Sequence, residues 1–425
     1  MRRVYLDHLA ATPVLPEVLA AMQPCFLEAF GNPSSLHQHG LRARDALARA
    51  RAQIAALINA ESPEEIFFTS GGTEAANLAI KGVAYANQRR GHHLVVSAIE
   101  HPSVLGSVEF LEKQAFTATR VGVDSQGWVD PEAVRAALTD QTILIAVHHV
   151  NHDLGAIEPV AAVGRIAAQR GIPLFVDATA SGGWLPIDVQ AMGASLLSLS
   201  PHRFYGPKGV GVLYRHRRAR LVSILHGGVQ EGGRRAGTEN VPAIVGAGVA
   251  AEIARRELPE RIAHTAKLQA RLWEGVQHRI SYVKLNGPPP GAQRISTTLN
   301  LSTEFIEGEG QLLLCDLHGI AVASGSSCVS KSLKISHVLA AIGLDHALAQ
   351  GNLILSLGKD NTSEEIDYFV TTFAQVVEKL RGMSPMWADF QRGVIDSVIQ
   401  PSGRGTSFAA HASALAGKPA AARPS

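Results

Sequence analysis

Three cysteines in 425 residues, Cys25, Cys315 and Cys328, are too few for a disulfide-built scaffold. A reducing cytoplasm is the natural setting, and a thiol kept there is either core filler or a working group. Cys25 and Cys315 sit in apolar helical patterns and read as core. No apolar run approaches the roughly 18 residues of a membrane span. Met1-Arg2-Arg3 leads straight into Val4-Tyr5-Leu6-Asp7, without the apolar stretch of a secretory signal. Charge of either sign is barely in excess, at a formal net +2, so nothing general favours nucleic acid or an anionic membrane. The one dense basic run, Arg215-His216-Arg217-Arg218-Ala219-Arg220, reads as a solvated loop or subunit edge.

What is abundant is apolar surface, 46% of residues, enough for a large core in two domains. From residue 62 short apolar runs alternate with amphipathic stretches. Glu65-Ile66-Phe67-Phe68 precedes a helical stretch from Glu74 to Tyr85, and His93-Leu94-Val95-Val96 precedes one from Val104 to Gln114. Ile143 to Val147, then Ala161 to Arg170, then Pro173 to Val176 continue the pattern. This predicts an α/β fold with a mostly parallel central sheet and ligands at the carboxyl ends of the strands. A long helix from Val241 to about Ile280 and strands at Ile295 to Leu301 and Ile320 to Val322 indicate a smaller α+β domain. The expected division is 16–260 for the large domain, 1–15 with 261–382 for the small one, a C-terminal contact segment at 383–400, and a Ser/Gly/Ala/Pro-rich disordered tail at 401–425.

Thr69-Ser70-Gly71-Gly72-Thr73-Glu74 lies between a predicted strand and helix, where glycines let backbone N–H groups and a hydroxyl reach a phosphate. Alone it is weak, because such turns are common helix caps. Phe175-Val176-Asp177 at a strand end and Ser200-Pro201-His202-Arg203-Phe204-Tyr205-Gly206-Pro207-Lys208-Gly209 make it strong. With Ala11-Thr12-Pro13, Gly31-Asn32-Pro33-Ser34-Ser35, Glu100-His101, Arg235-Ala236-Gly237-Thr238 and Ser324-Gly325-Ser326-Ser327-Cys328, the chain resembles the cysteine desulfurases of iron–sulfur cluster assembly. These belong to the class V aminotransferase group, of pyridoxal-phosphate fold type I. The resemblance runs from Tyr5 to about Val394.

The resemblance implies that Thr73, Ser200 and His202 bind the cofactor phosphate, with Thr238 reaching over from the other subunit of a homodimer. It implies that His101 stacks on the pyridine ring and that Asp177 pairs with the ring nitrogen, keeping the ring an electron sink. It makes Cys328 the thiol that carries persulfide sulfur, or one ligand of a shared iron–sulfur cluster. Met383-Ser384-Pro385-Met386-Trp387 corresponds to the segment that contacts a scaffold protein.

Four positions depart from the family pattern. His152 stands for an Asn, Ala180 for a Gln, Ile354 for the Arg that holds the substrate carboxylate, and Arg203 for the Schiff-base lysine. A guanidinium with a pKa above about 12 stays protonated, so it can neither attack a carbonyl nor act as the base. Lys208 belongs to a separate Gly-Pro-Lys-Gly turn and is expected to point elsewhere. Losing the carboxylate's partner at Ile354 would cost about 1.5–3 kcal/mol of substrate binding. His101, His152, Asp177 and His202 are expected to converge, which raises a metal site, although Arg203 would repel a cation. His148 and His149 alternate faces on a strand and need not act together.

The sequence therefore leans against an enzyme. The foremost expectation is a catalytically degenerate dimeric partner, or a sulfur or cluster carrier acting through Cys328. Alternatives are a desulfurase or altered-reaction enzyme with non-covalently held pyridoxal phosphate, and a binding module for a phosphorylated metabolite.

Overall fold

The computed structural model describes residues 2–325 and 335–399. Cys328 and the tail 401–425 lie outside the described residues. In chain order the strands are β1 (Val4–Tyr5), β2 (Ile66–Thr69), β3 (His93–Ser97), β4 (Thr117–Val121), β5 (Thr142–His148) and β6 (Leu174–Asp177). They continue with β7 (Leu196–Leu199), β8 (Gly211–Arg215), β9 (Val283–Asn286), β10 (Thr298–Thr303), β11 (Ile320–Ala321) and β12 (Asn352–Ser356).

A seven-stranded sheet has the order β2-β8-β7-β6-β5-β3-β4. Only β8 runs against its neighbours. All residues of β3, β5, β6 and β7 are buried, because helices cover both faces of this parallel core. The edge strand β4 is mostly exposed and was not foreseen. A three-stranded antiparallel sheet, β12-β10-β9, builds a second core with Leu299, Leu301, Leu353, Leu355, Phe369 and Phe373.

The helix Val241–Arg279 joins the two cores. Ile244, Ala247 and Ala251 pack in the first, and Leu268, Leu272 and Val276 in the second. Asn240 caps its start by accepting from Ala243 N at 3.3 Å. The predicted strand at Ile295 begins three residues late. Ile295 N is committed to Gly155 O at 2.9 Å, and Thr298 N turns back to Ile295 O, so the ladder opens only at Thr298.

Candidate active site

β6 ends at Asp177, whose side chain is 4% exposed. Its Oδ1 accepts from Thr179 N at 3.0 Å and Ser198 Oγ at 2.9 Å. Beside it, β2 turns at Ser70-Gly71 into the helix Gly72–Asn87. A Cβ on Gly72 would lie 2.3 Å from Ser200 Oγ and 2.9 Å from Thr179 Cγ2, so only glycine lets these three loops meet. The meeting point is a cradle with helix amides, the buried Ser200 and the exposed Thr73 around it. Thr12 ties the N-terminal segment to the same place, its Oγ1 donating to His202 O at 2.9 Å and accepting from Tyr205 N at 2.6 Å.

Arg203 closes a single turn at Pro201–Arg203, and its carbonyl accepts from Trp184 Nε1 at 2.9 Å. Its positive charge acts on Asp7, His101, His152 and His202 together, which places the guanidinium among them. His202 is pushed down to about 4 by burial, with Arg203 and Lys208 adding to the effect. Burial likewise lowers His101, against the pull of Asp177, and holds His152 well below the usual imidazole range. All three rings are therefore neutral near pH 7. His101 Nδ1 accepts from Ser103 N at 3.1 Å, so the neutral ring carries its proton on Nε2.

The predicted convergence of histidines is partly met. His101 and His152 lie edge to face with centroids 5.1 Å apart. The third ring beside them is His337, 6.1 Å from His152 and bonded through Nε2 to Glu100 O at 2.9 Å. Ser336 donates to Asp153, fastening the same segment to the His152 turn. Among the described residues, the group of three metal-ligating side chains with donor atoms within 4.8 Å of one another is Glu61, Glu65 and His216, at the other edge of the sheet. Ala180 is buried in the main core, and Ile354 is locked into β12, exchanging backbone hydrogen bonds with Ala323 at 2.7 and 3.1 Å. Thr238 is exposed, on a loop anchored where Arg235 Nε meets Glu74 at 2.9 Å.

Beneath the pocket, His148 is wedged between two buried carboxylates. Its Nδ1 donates to Glu100 Oε1 at 2.6 Å, and its Nε2 faces Glu158 Oε1 at 3.4 Å. Burial alone would lower its pKa, but Glu100 and then Glu158 raise it to about 10, so it is an imidazolium. His149 points the other way and hydrogen-bonds Ser181 Oγ at 2.9 Å. The sequence named Glu100 and His148 without linking them. Asp7, His337 and Glu158 were missed, since only the fold brings them from distant segments to this place.

In the segment at 383–387, Ser384 caps the helix Pro385–Gln391 and donates to Phe305 O at 2.7 Å. Trp387 packs on Tyr282 and Phe305, while Met383 and Met386 are 72% and 45% exposed. Cys25 and Cys315 are buried, and burial pushes the Cys315 thiol up to about 12.

The model of the family described as "Aminotransferase class-V" matches residues 4–369. The chain belongs to that family. Within it, the chain is 45% identical over 391 residues to a cysteine desulfurase IscS of Clostridium botulinum, covering 92% of this chain and 98% of the relative. It is 46% identical to a cysteine desulfurase IscS of Methanosarcina thermophila, over 91% and 94%. A solved NifS-like protein superposes with a TM-score of 0.84 at 35% identity, covering 89% of this chain and all of the other. A solved structure described as SspA in complex with cysteine gives 0.75 at 36%, over 84% and 100%. The chain is thus a member of the iron–sulfur-assembly cysteine desulfurase family on a pyridoxal-phosphate type I fold.

This corrects the expectation that leaned against an enzyme. Relatives named as cysteine desulfurases match nearly the whole chain at 45% identity, and an enzyme is the reading they support. The family depends on pyridoxal phosphate. The Gly72 cradle fits its phosphate, and the buried Asp177 carboxylate fits a protonated ring nitrogen. Arg203 does not fit a covalent attachment. Among the described residues no helix is long and apolar enough to cross a membrane.

Proposed function

We propose that the chain is a sulfur-transfer enzyme acting on cysteine, and that it holds pyridoxal phosphate by non-covalent contacts alone. The observation that carries this is the pairing of the Gly72–Ser200 cradle and buried Asp177 with an arginine at 203. Bound there, the cofactor would supply an electron sink for charge developing at the substrate's α-carbon. Thr73, Ser200, His202 and the amides after Gly71 hold the phosphate, and Asp177 holds the ring proton. Neutral His101, with its proton on Nε2, and neutral His152 exchange protons with the substrate, a task the side chain at 203 cannot perform. Arg203 supplies a fixed positive charge near the substrate carboxylate, which Ile354 cannot pair with.

Cys328 is the thiol we assign as sulfur acceptor. Thr238 completes the phosphate cup across a homodimer, and Met383 to Trp387 dock an iron–sulfur scaffold protein. The test is sulfide release from cysteine by the pyridoxal-phosphate-loaded chain with a thiol reductant present to discharge the persulfide, beside Cys328→Ser and Asp177→Ala variants. Release that exceeds both variants is expected. Release no faster than in Cys328→Ser would overturn the assignment of the thiol, and none at all would overturn the activity.

A further inference from the structure

The basic run at 215–220 exposes Arg217, Arg218 and Arg220 to solvent as expected, and it also lines an open cavity of about 380 Å³. β8 ends at Arg215, opposite the first residue of the antiparallel β7, so the cavity opens at the end of the strands opposite Asp177 and Ser200. Its wall holds Arg215, Arg217, Arg218, Arg220 and Arg234, with small or apolar residues between them and no carboxylate. Arg234 arrives from a distant loop. Glu231, Gly232 and Gly233 take φ of 47°, 62° and 75°, a left-handed turn that two glycines make accessible. The Glu231 carboxylate fixes that turn, accepting from Arg51 at 2.7 and 2.9 Å and from Phe68 N at 2.9 Å.

The turn delivers Arg234 beside Arg215. Both guanidinium groups lie over the Phe67 ring, 5.4 and 5.6 Å from its centroid. In each, Nε is buried and has no hydrogen-bond partner. Among the described residues neither arginine makes an ion pair; Glu61 and Glu65 engage Arg217, at 3.7 Å and through its backbone N at 3.2 Å, and Glu65 reaches Arg215 only through its charge. Burial and the Arg234 charge both lower the Arg215 pKa, against the opposing pull of Glu65. Two like charges held over one ring, each with a buried donor unmade, are costly unless an anion completes them. A carboxylate offers two oxygens. A phosphate offers three around a tetrahedron and a second charge, which suits two guanidinium groups brought from separate elements over one ring, each with Nη1 already donating to a loop carbonyl, Ala219 O at 2.8 Å and Gly232 O at 2.7 Å.

We propose that this cavity binds a phosphorylated small molecule, at a site separate from the cofactor cradle and independent of the activity assigned above. Isothermal titration of pyrophosphate into the full chain saturated with pyridoxal phosphate, so that the cradle is already filled, tests it, with an Arg215→Gln/Arg234→Gln double variant and a His202→Ala variant that alters only the cradle. The wild type and His202→Ala should bind alike, and the double variant should lose about tenfold or more in affinity, as expected for hydrogen bonds to a charged partner. Equal affinity in the double variant, loss only in His202→Ala, or equally tight binding of a polyglutamate peptide would overturn the proposal. Should the double variant fail to fold, Arg234→Gln alone should show a smaller rise in melting temperature on adding pyrophosphate than the wild type. An unchanged rise would overturn it.

Discussion

The two halves of the pocket differ in what holds them. The phosphate and ring half consists of Gly72, Ser200, Ser198 and Asp177, tightly packed and bonded among strand ends. The reacting half consists of His101, His152 and Arg203, where neutral rings cluster near one guanidinium, together with Ile354, which the resemblance assigns to it and which β12 holds buried. The first half matches what the family's cofactor needs, and the second does not match a lysine-based chemistry. Under the proposed function, binding and chemistry are separable: the scaffold keeps the cofactor's cradle while the proton-handling groups change around it.

The largest expected effect comes from restoring the lysine. Arg203→Lys should raise sulfide release from cysteine by about 10²–10⁴-fold, the usual worth of a positioned acid–base group, measured with saturating pyridoxal phosphate. No gain would mean that the reacting half works without it and that the contrast is overstated. His148→Gln comes next. It leaves Glu100 and Glu158 buried without their cation and should cost about 3–5 kcal/mol in urea unfolding. Because the His148 pKa is raised from its unfolded value near 6.5 to about 10, its stabilisation is complete below about 6.5 and fades as pH rises through 10. A variant as stable as wild type at pH 7 but not at pH 11 would contradict that sign.

Gly72→Ala probes the cradle and should weaken cofactor binding by about 1–3 kcal/mol while leaving the fold intact, read by equilibrium dialysis. Trp387→Ala is the control for both halves. It loosens the Tyr282–Phe305–Phe390 cluster by about 1–2 kcal/mol, seen as a lower melting temperature, and should leave cofactor affinity unchanged.

The central sheet was legible because its buried strands are continuous apolar runs of a length that only a covered parallel sheet explains, as in Ile143 to Val147. The exposed β4 carries no such run and went unseen. The two loops that meet at Gly72 and Ser200 were legible too, since Gly71-Gly72-Thr73 and Ser200 to Lys208 are compact motifs. His337 beside His152, and Arg234 beside Arg215, were not, because each pair joins segments whose distance apart in sequence gives no local sign. The expectation against an enzyme rests on Arg203 and its neighbours in the pocket, whereas the likeness to relatives named as cysteine desulfurases extends over nearly the whole chain.

The most direct measurement is the absorbance of the chain loaded with pyridoxal phosphate, treated with borohydride, denatured and passed through a desalting column. Non-covalent binding predicts that the cofactor leaves with the small molecules and that no lysine carries it in a peptide map. A reduced cofactor fixed to Lys208, or to any other lysine, would contradict it.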